Sequence, residues 1–287
     1  MPFASITIDI NPVITNLGPF TITWHGLFTA VGIALAVLLA AWIVRDSQIP
    51  VDDVYAVALP AVLAGIVGAR LLYVIEHASY FFHRPLSVFA INEGGISIYG
   101  AVILGPLVAY WYARRYHMKV REMADVGAIA MLTGQAIGRI GDLINGEHWS
   151  RATSLPWGVR YTNPDTLAQY LGQTVQPVVS IYEPLLLVLI AGVVFWMWRR
   201  GVKPGYGFWL YVLGYAQVRF WLSFLRLNET KVGPISVPQI IAVVMTALAL
   251  LFLYRLRRID QREAARPAPE APAGPSQPRP RPRPSRT

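Results

Sequence analysis

Seven stretches of this chain are apolar over the length that a hydrocarbon core demands: residues 24–44, 54–75, 96–113, 124–144, 179–198, 206–225 and 237–254, about half of the 287 residues. A helix rises ~1.5 Å per residue, so a core ~30 Å thick needs about 20 predominantly apolar residues per crossing. Within lipid every backbone polar group must be bonded inside the protein, which makes such stretches helical. Hydrophobic residues form 54% of the chain and charged residues only 14%, too apolar a balance for a soluble domain. The expected fold is an all-α integral membrane protein, a single bundle of seven transmembrane helices over residues 24–256. Residues 1–23 hold no Lys or Arg and no small-residue cleavage pattern, so they are expected to stay as an interfacial segment and not to leave as a signal peptide.

Lys and Arg set the orientation. The segments after spans one, three and five and after the last span carry Arg45, Arg114, Arg115, Lys119, Arg121, Arg199, Arg200, Lys203, Arg255, Arg257, Arg258 and Arg262. The opposite side carries Arg84, Arg151, Arg160, Arg226 and Lys231. Twelve against five places the C-terminus in the cytoplasm and the N-terminus outside. The net charge of +9 then reports topology and contact with anionic membrane lipids, not nucleic-acid binding. Residues 257–287, dense in Pro, Ala and Arg, are expected to form a disordered cytoplasmic tail. The long outer segment 145–178 is rich in Trp and Tyr and is expected to be ordered and functional. A second outer turn, "NEGGISIYG", carries two glycines before span three. Cysteine is absent, which excludes disulfides, thiolate metal sites and a cysteine nucleophile. The histidines show no metal-ligand spacing, and neither H-E-x-x-H nor G-x-S-x-G occurs, so no metal, no cofactor and no serine nucleophile are expected.

Three arginines stand in or at the ends of apolar stretches: Arg70 in "GARLLYV", Arg139 in "GQAIGRIGDLINGEHW" and Arg219 in "GYAQVRFWLSFLR". An arginine at bilayer centre costs about 2.5–3.5 kcal/mol on insertion scales, so such residues face the bundle interior unless they snorkel to the headgroups. One alone is explained equally well by snorkelling; three on different helices favour a shared anionic ligand. In span six, Tyr215, Arg219, Ser223 and Arg226 fall along one helical face, which must look inward. In span four, Arg139 and Asp142 are three residues apart and can pair, as a structural ion pair or as part of a ligand site. Gly134, Gly138 and Gly141 suit close helix packing. His25 and Tyr99 share the outer ends of spans one and three. Composition and spacing reach a bundle suited to holding an anionic lipid headgroup and do not name a reaction.

The motifs go further. "GRIGDLINGEHWS" resembles the loop that marks bacterial prolipoprotein diacylglyceryl transferases, close to G-R-x-G-N-F-x-N-G-E-x-x-G, and "DINPVITNLGPFTITWHG", "GARLLYV", "EGGISIYG" and "GYAQVRFWLSFLR" follow that family's order over about residues 6 to 256. The resemblance implies transfer of the diacylglyceryl group of phosphatidylglycerol to the lipobox cysteine thiol in the signal peptide of a preprolipoprotein. A thioether forms and glycerol phosphate leaves. It implies a multi-pass protein of the bacterial cytoplasmic (inner) membrane with its active site toward the outer leaflet. It also carries over two arginines for the lipid phosphate, Arg139 and Arg219, the second stabilising the leaving group. His25 or Tyr99 would accept or relay the thiol proton. Gly138, Asp142, Asn145, Glu147, Tyr215, Arg226 and Arg70 would bind the lipid or line the site.

The chain departs from the family pattern at informative places. Tyr99 stands where many members have His, and His25 where they have Tyr; Asp142 replaces the usual Asn, Ser223 the usual Glu and Ser150 the last Gly of the loop motif. The first pair is an exchange of residue types, and the second suggests an acid moved from one helix to another, with Asp142 expected within reach of Arg219 as well as Arg139. Two rival readings make different demands. A transporter of anionic solutes predicts inverted repeats, and none is visible; another lipid enzyme, such as a phosphoalcohol transferase, or a membrane protease needs a metal-binding acidic motif or a nucleophile motif, and neither occurs.

Overall fold

The computed structural model describes residues 5–18, 20–90 and 95–265. Three short strands, β1 (Ile6–Ile8), β2 (Val13–Leu17) and β3 (Phe20–Thr23), precede helix α1 (Trp24–Val44). Then come α2 (Val51–Glu76), the short α3 (Ala78–His83), α4 (Ile98–Arg115) and α5 (Val120–Asn145). Strands β4 (Val159–Tyr161) and β5 (Thr174–Val175) lead to a π turn, Val178–Tyr182, that runs into α6 (Glu183–Arg199). Helix α7 (Tyr206–Leu222), the strand pair β6 (Lys231–Val232) and β7 (Ile235–Ser236), and α8 (Val237–Ala264) complete the chain. Four of these segments, α1, α2, Val178–Arg199 and α8, are long and apolar enough to cross a membrane.

Helix α5 explains why span length and hydropathy part company. It carries Arg121, Glu122, Asp125, Arg139 and Asp142, so it is polar for a spanning helix, yet it packs against α1, α6 and α7 at once and contributes the largest share of the core. A helix shielded by its neighbours need not be apolar all round. Large apolar side chains stand outward on other helices instead, Leu59, Leu63 and Val67 of α2 and Leu185 and Leu189 of α6. Helix α4 packs almost wholly on α2, and this pair forms a second layer beside the core.

Small residues decide how close α5 comes to α1. A methyl group on Gly32 would fall 2.6 Å from the Gly134 carbonyl oxygen, and one on Gly141 would fall 2.6 Å from the His25 Cα. The packing expected of Gly134 and Gly141 is therefore present; Gly138, grouped with them in the sequence, opens on empty space instead. At the far end of α5, the buried Asp125 carboxylate accepts the backbone N–H groups of Gly205 and Phe208, both at 2.7 Å, and so satisfies donors at the start of α7 that its own helix cannot.

The segment expected at the interface, residues 1–23, forms strands where it is described: β1 pairs in parallel with β4, which pairs with β5, and β2 and β3 form a hairpin beside the α1 N-terminus. The fold is thus mostly helical with three small sheets. Helix α8 continues to Ala264, past the boundary at 256 expected for the membrane domain; the remainder of the expected tail, 266–287, lies outside the described residues. In the turn before α4, residues 91–94 are likewise outside them, and Gly95 adopts a φ of 78°. Segment 145–178 is held by its aromatic residues, since Trp149 Nε1 donates to the Leu167 carbonyl (2.9 Å), Trp157 Nε1 to the Tyr182 hydroxyl (2.9 Å) and the Tyr161 hydroxyl to the Leu143 carbonyl (2.8 Å).

Because a backbone carbonyl cannot move aside as a side chain can, Gly32→Leu is expected to destabilise the protein by about 1–3 kcal/mol. Gly127→Ala, at a helical glycine with open space around it, should be neutral or stabilise by up to about 1 kcal/mol. Thermal unfolding of the detergent-solubilised protein measures both.

Candidate active site

One end of the bundle gathers the N-terminus of α1, the C-terminus of α5, the N-terminus of α6 and the C-terminus of α7. Each brings a polar group to the shared end. Arg139, two turns before the end of α5, places Nη1 2.5 Å from Asp142 Oδ2 and binds Glu183 Oε1 through Nη2. Glu183 opens α6, where the positive end of the helix dipole favours a carboxylate, and is only 2% exposed. A carboxylate that deep must be paired to remain charged. Asp142, also buried, has His25 Nδ1 2.7 Å from its other oxygen, Oδ1. Arg139 Nε is buried and has no hydrogen-bond partner among the described residues, and the same is true of His25 Nδ1 and Asp142 Oδ1, whose 2.7 Å approach is an ion-pair contact off the hydrogen-bond direction.

The second arginine centre lies on and just after α7. Arg219 Nη1 is 2.7 Å from Glu229 Oε1 and donates to Ser223 Oγ at 3.4 Å. Ser223 Oγ in turn donates to Glu229 Oε1 at 3.3 Å, and Arg226 Nε stands 3.3 Å from the same carboxylate oxygen. Arg226 Nη2 meets His148 Nδ1 at 2.7 Å, and His148 Nε2 lies 3.6 Å from Asp142 Oδ2 and 3.5 Å from Glu147 Oε1. The two arginine centres are thus joined through His148 into one chain of polar groups. Tyr215, one turn before Arg219, is within electrostatic range of Glu183, Arg139, Arg219 and Arg226.

The "NGEHWS" loop reaches this position through local backbone chemistry. Gly146 takes the left-handed conformation, φ 73°, and its N–H caps the Asp142 carbonyl at 3.0 Å, which stops α5 and turns the chain. The following residues pair with the segment after α7: Ser150 bridges Arg226, Arg151 N donates to the Leu225 carbonyl (3.0 Å) and Leu227 N to the Trp149 carbonyl (3.0 Å). Asn145 Nδ2 donates to Glu147 Oε2 at 3.0 Å, and Asn228 Nδ2 to the Glu147 carbonyl at 3.1 Å. Beneath the loop a small cavity is lined by Asp142, His148, Ser150, Tyr161 and Gln176. Burial and the nearby Asp142 charge push the Tyr161 phenol well above its ordinary range, so it stays a neutral donor.

The network joins Arg139, Asp142, His25, Arg219 and Arg226 among the residues singled out from the sequence, with Tyr215, Asn145 and Glu147 beside them. Two others fall elsewhere. Arg70 does not line this site: Nε donates to the Val88 carbonyl (2.8 Å), Nη1 to Gly95 (2.8 Å) and Nη2 to Ser87 (2.5 Å) and Ala90 (3.3 Å), so it pins the connection before α4. Tyr99 stands 42% exposed on α4, and no hydrogen bond or ion pair described here ties it to the network. Nor does an ion pair join Arg219 to Asp142 among the described residues. The acid that meets Arg219 is Glu229, six residues after Ser223. Glu183, Glu229 and His148 were missed, although a lone acid beside Pro184 at the edge of an apolar run was a readable signal for the first.

Ligand atoms of His25, Asp142 and Glu147 lie within 4.8 Å of one another, a spacing that a cation would need. Asp142, however, is already held by Arg139 and His25, and a guanidinium 2.5 Å from the carboxylate repels a divalent ion. The donor set therefore fits an anion between arginines better than a metal.

Comparison with known proteins gives one consistent result. A family model described as prolipoprotein diacylglyceryl transferase matches residues 12–255. A phosphatidylglycerol–prolipoprotein diacylglyceryl transferase of Dehalococcoides mccartyi is 33% identical over 257 residues, 88% of this chain and 97% of its own length. Relatives with the same name from Gloeobacter violaceus and Synechococcus elongatus are 30% and 29% identical, over 92% and 86% of this chain and 100% and 89% of their own lengths.

Arg139 is shared by Asp142 and Glu183, so Glu183→Leu leaves it one carboxylate, whereas Arg139→Met leaves two carboxylates buried without their cation, at a cost of about 3–5 kcal/mol. Arg139→Met should therefore lower thermal stability in detergent sharply and Glu183→Leu less, and adding Glu183→Leu to Arg139→Met should recover part of the loss. No recovery in the double variant would refute the pairing.

Proposed function

The chain belongs to the prolipoprotein diacylglyceryl transferase family, and from that membership we infer its reaction. It transfers the diacylglyceryl group of phosphatidylglycerol to the thiol of a prolipoprotein cysteine, forming a thioether and releasing glycerol phosphate. The apolar helices make it a multi-pass membrane protein. We place all seven helices of 17 residues or more, α1, α2 and α4 to α8, across the bacterial inner membrane. The N-terminus is outside, the C-terminus cytoplasmic and the polar end of the bundle toward the outer leaflet, where lipobox cysteines emerge.

The observation that carries the site assignment is the pair of half-buried arginines, each braced by a buried carboxylate, at one end of an apolar bundle. Arg139 binds the lipid phosphate, and its Nε, without a hydrogen-bond partner among the described residues, is left as a donor for such a ligand. Arg219 stabilises the oxygen that leaves as the carbon–oxygen bond breaks, since a preorganised cation in a poorly hydrated site acts where charge develops. Guanidiniums suit both tasks because they stay charged and present forked donors to phosphate oxygens. Glu183, Asp142 and Glu229 keep those forks oriented before substrate arrives. Gly138 and Tyr215 line the lipid's path beside Arg139, and Arg226, Asn145 and Glu147 shape the loop above it. The thiol proton passes to His25 or Tyr99.

Purified protein incubated with phosphatidylglycerol vesicles and a lipobox peptide should add one diacylglyceryl mass to the peptide cysteine. Arg139→Ala and Arg219→Ala should each lower kcat by about 100-fold or more while the protein stays inserted. Glu229→Gln should lower it less, by about tenfold, because Arg219 loses orientation and not charge. Wild-type turnover in Arg139→Ala, or peptide modification without lipid consumption, would overturn the assignment.

A further inference from the structure

Two of the positions where this chain departs from its family's pattern, His25 for Tyr and Asp142 for Asn, meet across the α1–α5 interface at 2.7 Å. Resting on the transferase reading, we propose that they form a base dyad: Asp142 Oδ1, at ion-pair distance from Nδ1, takes up the Nδ1–H as the imidazole aligns on substrate, and His25 Nε2 takes the proton of the substrate thiol. Each half is built for its part. Asp142 cannot turn away, because Arg139 binds Oδ2 while Oδ1 faces the imidazole. His25 cannot drift, because Gly141 of α5 fits against its Cα and the helix start is fixed on both sides. Thr23 Oγ1 accepts the Gly26 N–H at 3.1 Å, and Trp24 N donates to the Pro12 carbonyl at 3.1 Å. The His25 side chain is 40% exposed against 5% for Asp142, so the imidazole is the member that a substrate can touch.

The other candidates are accounted for. His148 Nδ1 sits 2.7 Å from Arg226 Nη2, which can only donate, so that lone pair is occupied and the His148 proton is on Nε2. Tyr99 makes no ion pair or hydrogen bond with the network among the described residues. Facing His25 among the described residues are Asp142 and Arg139 from α5 and Glu147 from the loop that follows. A carboxylate on Nδ1 fixes the tautomer that leaves Nε2 free and stabilises the imidazolium once it forms.

The step balances. The thiol proton moves to His25 Nε2, the thiolate attacks the glyceryl carbon that bears the phosphate, a carbon–sulfur bond forms and the carbon–oxygen bond breaks. Its electron pair leaves on the phosphate oxygen beside the arginines. The imidazolium then yields its proton to the departing glycerol phosphate, so no other acid or co-reactant is required. Until that moment its positive charge offsets the negative charge brought by the lipid. The buried network carries none to spare, with Arg139, Arg219 and Arg226 facing Asp142, Glu183 and Glu229.

A selenocysteine lipobox peptide separates base catalysis from everything else, because a selenol is already ionised at neutral pH. With phosphatidylglycerol vesicles, His25→Gln should lose about 100-fold or more in kcat with the cysteine peptide and less than about tenfold with the selenocysteine peptide. Turnover of the second peptide also shows that the variant is folded. Asp142→Asn should lose about tenfold in kcat with the cysteine peptide and little with the selenocysteine peptide, a thiol-selective loss that a merely structural role would not produce. Equal losses with both peptides in either variant, no loss with either peptide, or a thiol-selective loss in Tyr99→Phe would each overturn the dyad. If the wild-type protein modifies neither peptide, the transferase reading itself fails.

Discussion

An arginine inside a membrane bundle must be compensated where it stands, and the way Arg139 is compensated organises this molecule. Its two terminal nitrogens engage carboxylates on two different segments, Asp142 on α5 itself and Glu183 at the start of α6. Taking these charges out of water costs several kcal/mol per ion, and their mutual attraction offsets that cost only in fixed geometry. The helices therefore have one admissible arrangement at this end. α6 must begin where its first residue meets Arg139, and α1 must cross α5 where Gly141 lets His25 approach Asp142. The rest of the bundle follows this constraint, with apolar faces outward and α5 enclosed.

The same logic extends into the outer segments. The loop after α5 and the segment after α7 are paired backbone to backbone, so His148 and Arg226 meet and carry the network from one arginine centre to the other. Small sheets and aromatic hydrogen bonds brace that loop. A phosphate entering between the arginines would find donors already charged and aimed, with little reorganisation left to do at the moment of bond breaking. Bracing by carboxylates also keeps the resting site near neutrality, so that an anionic lipid and a proton delivered to His25 complete its charge balance together.

Much of this was legible in the sequence for a definite reason. Apolar run length is a local property, and six of the seven expected spans begin and end within a few residues of helices α1, α2 and α4 to α7. The seventh was placed correctly at its start, but α8 runs on as an amphipathic arginine-bearing helix that a hydropathy reading truncates. Arg139 and Asp142 were visible as partners because they are three residues apart on one helix. Arg70 could not be placed from the sequence, since an intramembrane arginine reads alike whether it awaits a ligand or holds a connection; among the described residues it donates to four backbone carbonyls before α4. The acid that meets Arg219 was sought on α5, yet Glu229 lay beyond the helix end, where no helical periodicity points.

By itself, then, the sequence determined that the chain forms a helical membrane bundle, that arginines lie inside it and which family's reaction it performs. Those properties depend on run length, residue type and motif order, all of which are written along the chain. Tertiary structure alone decided which carboxylate serves which arginine, that Arg70 belongs to a loop and not to the polar site, and that His25 and Asp142 touch. Pairing of buried charges is settled by where helix ends converge and by which small residues permit close approach, and that convergence joins residues as far apart as 25 and 142.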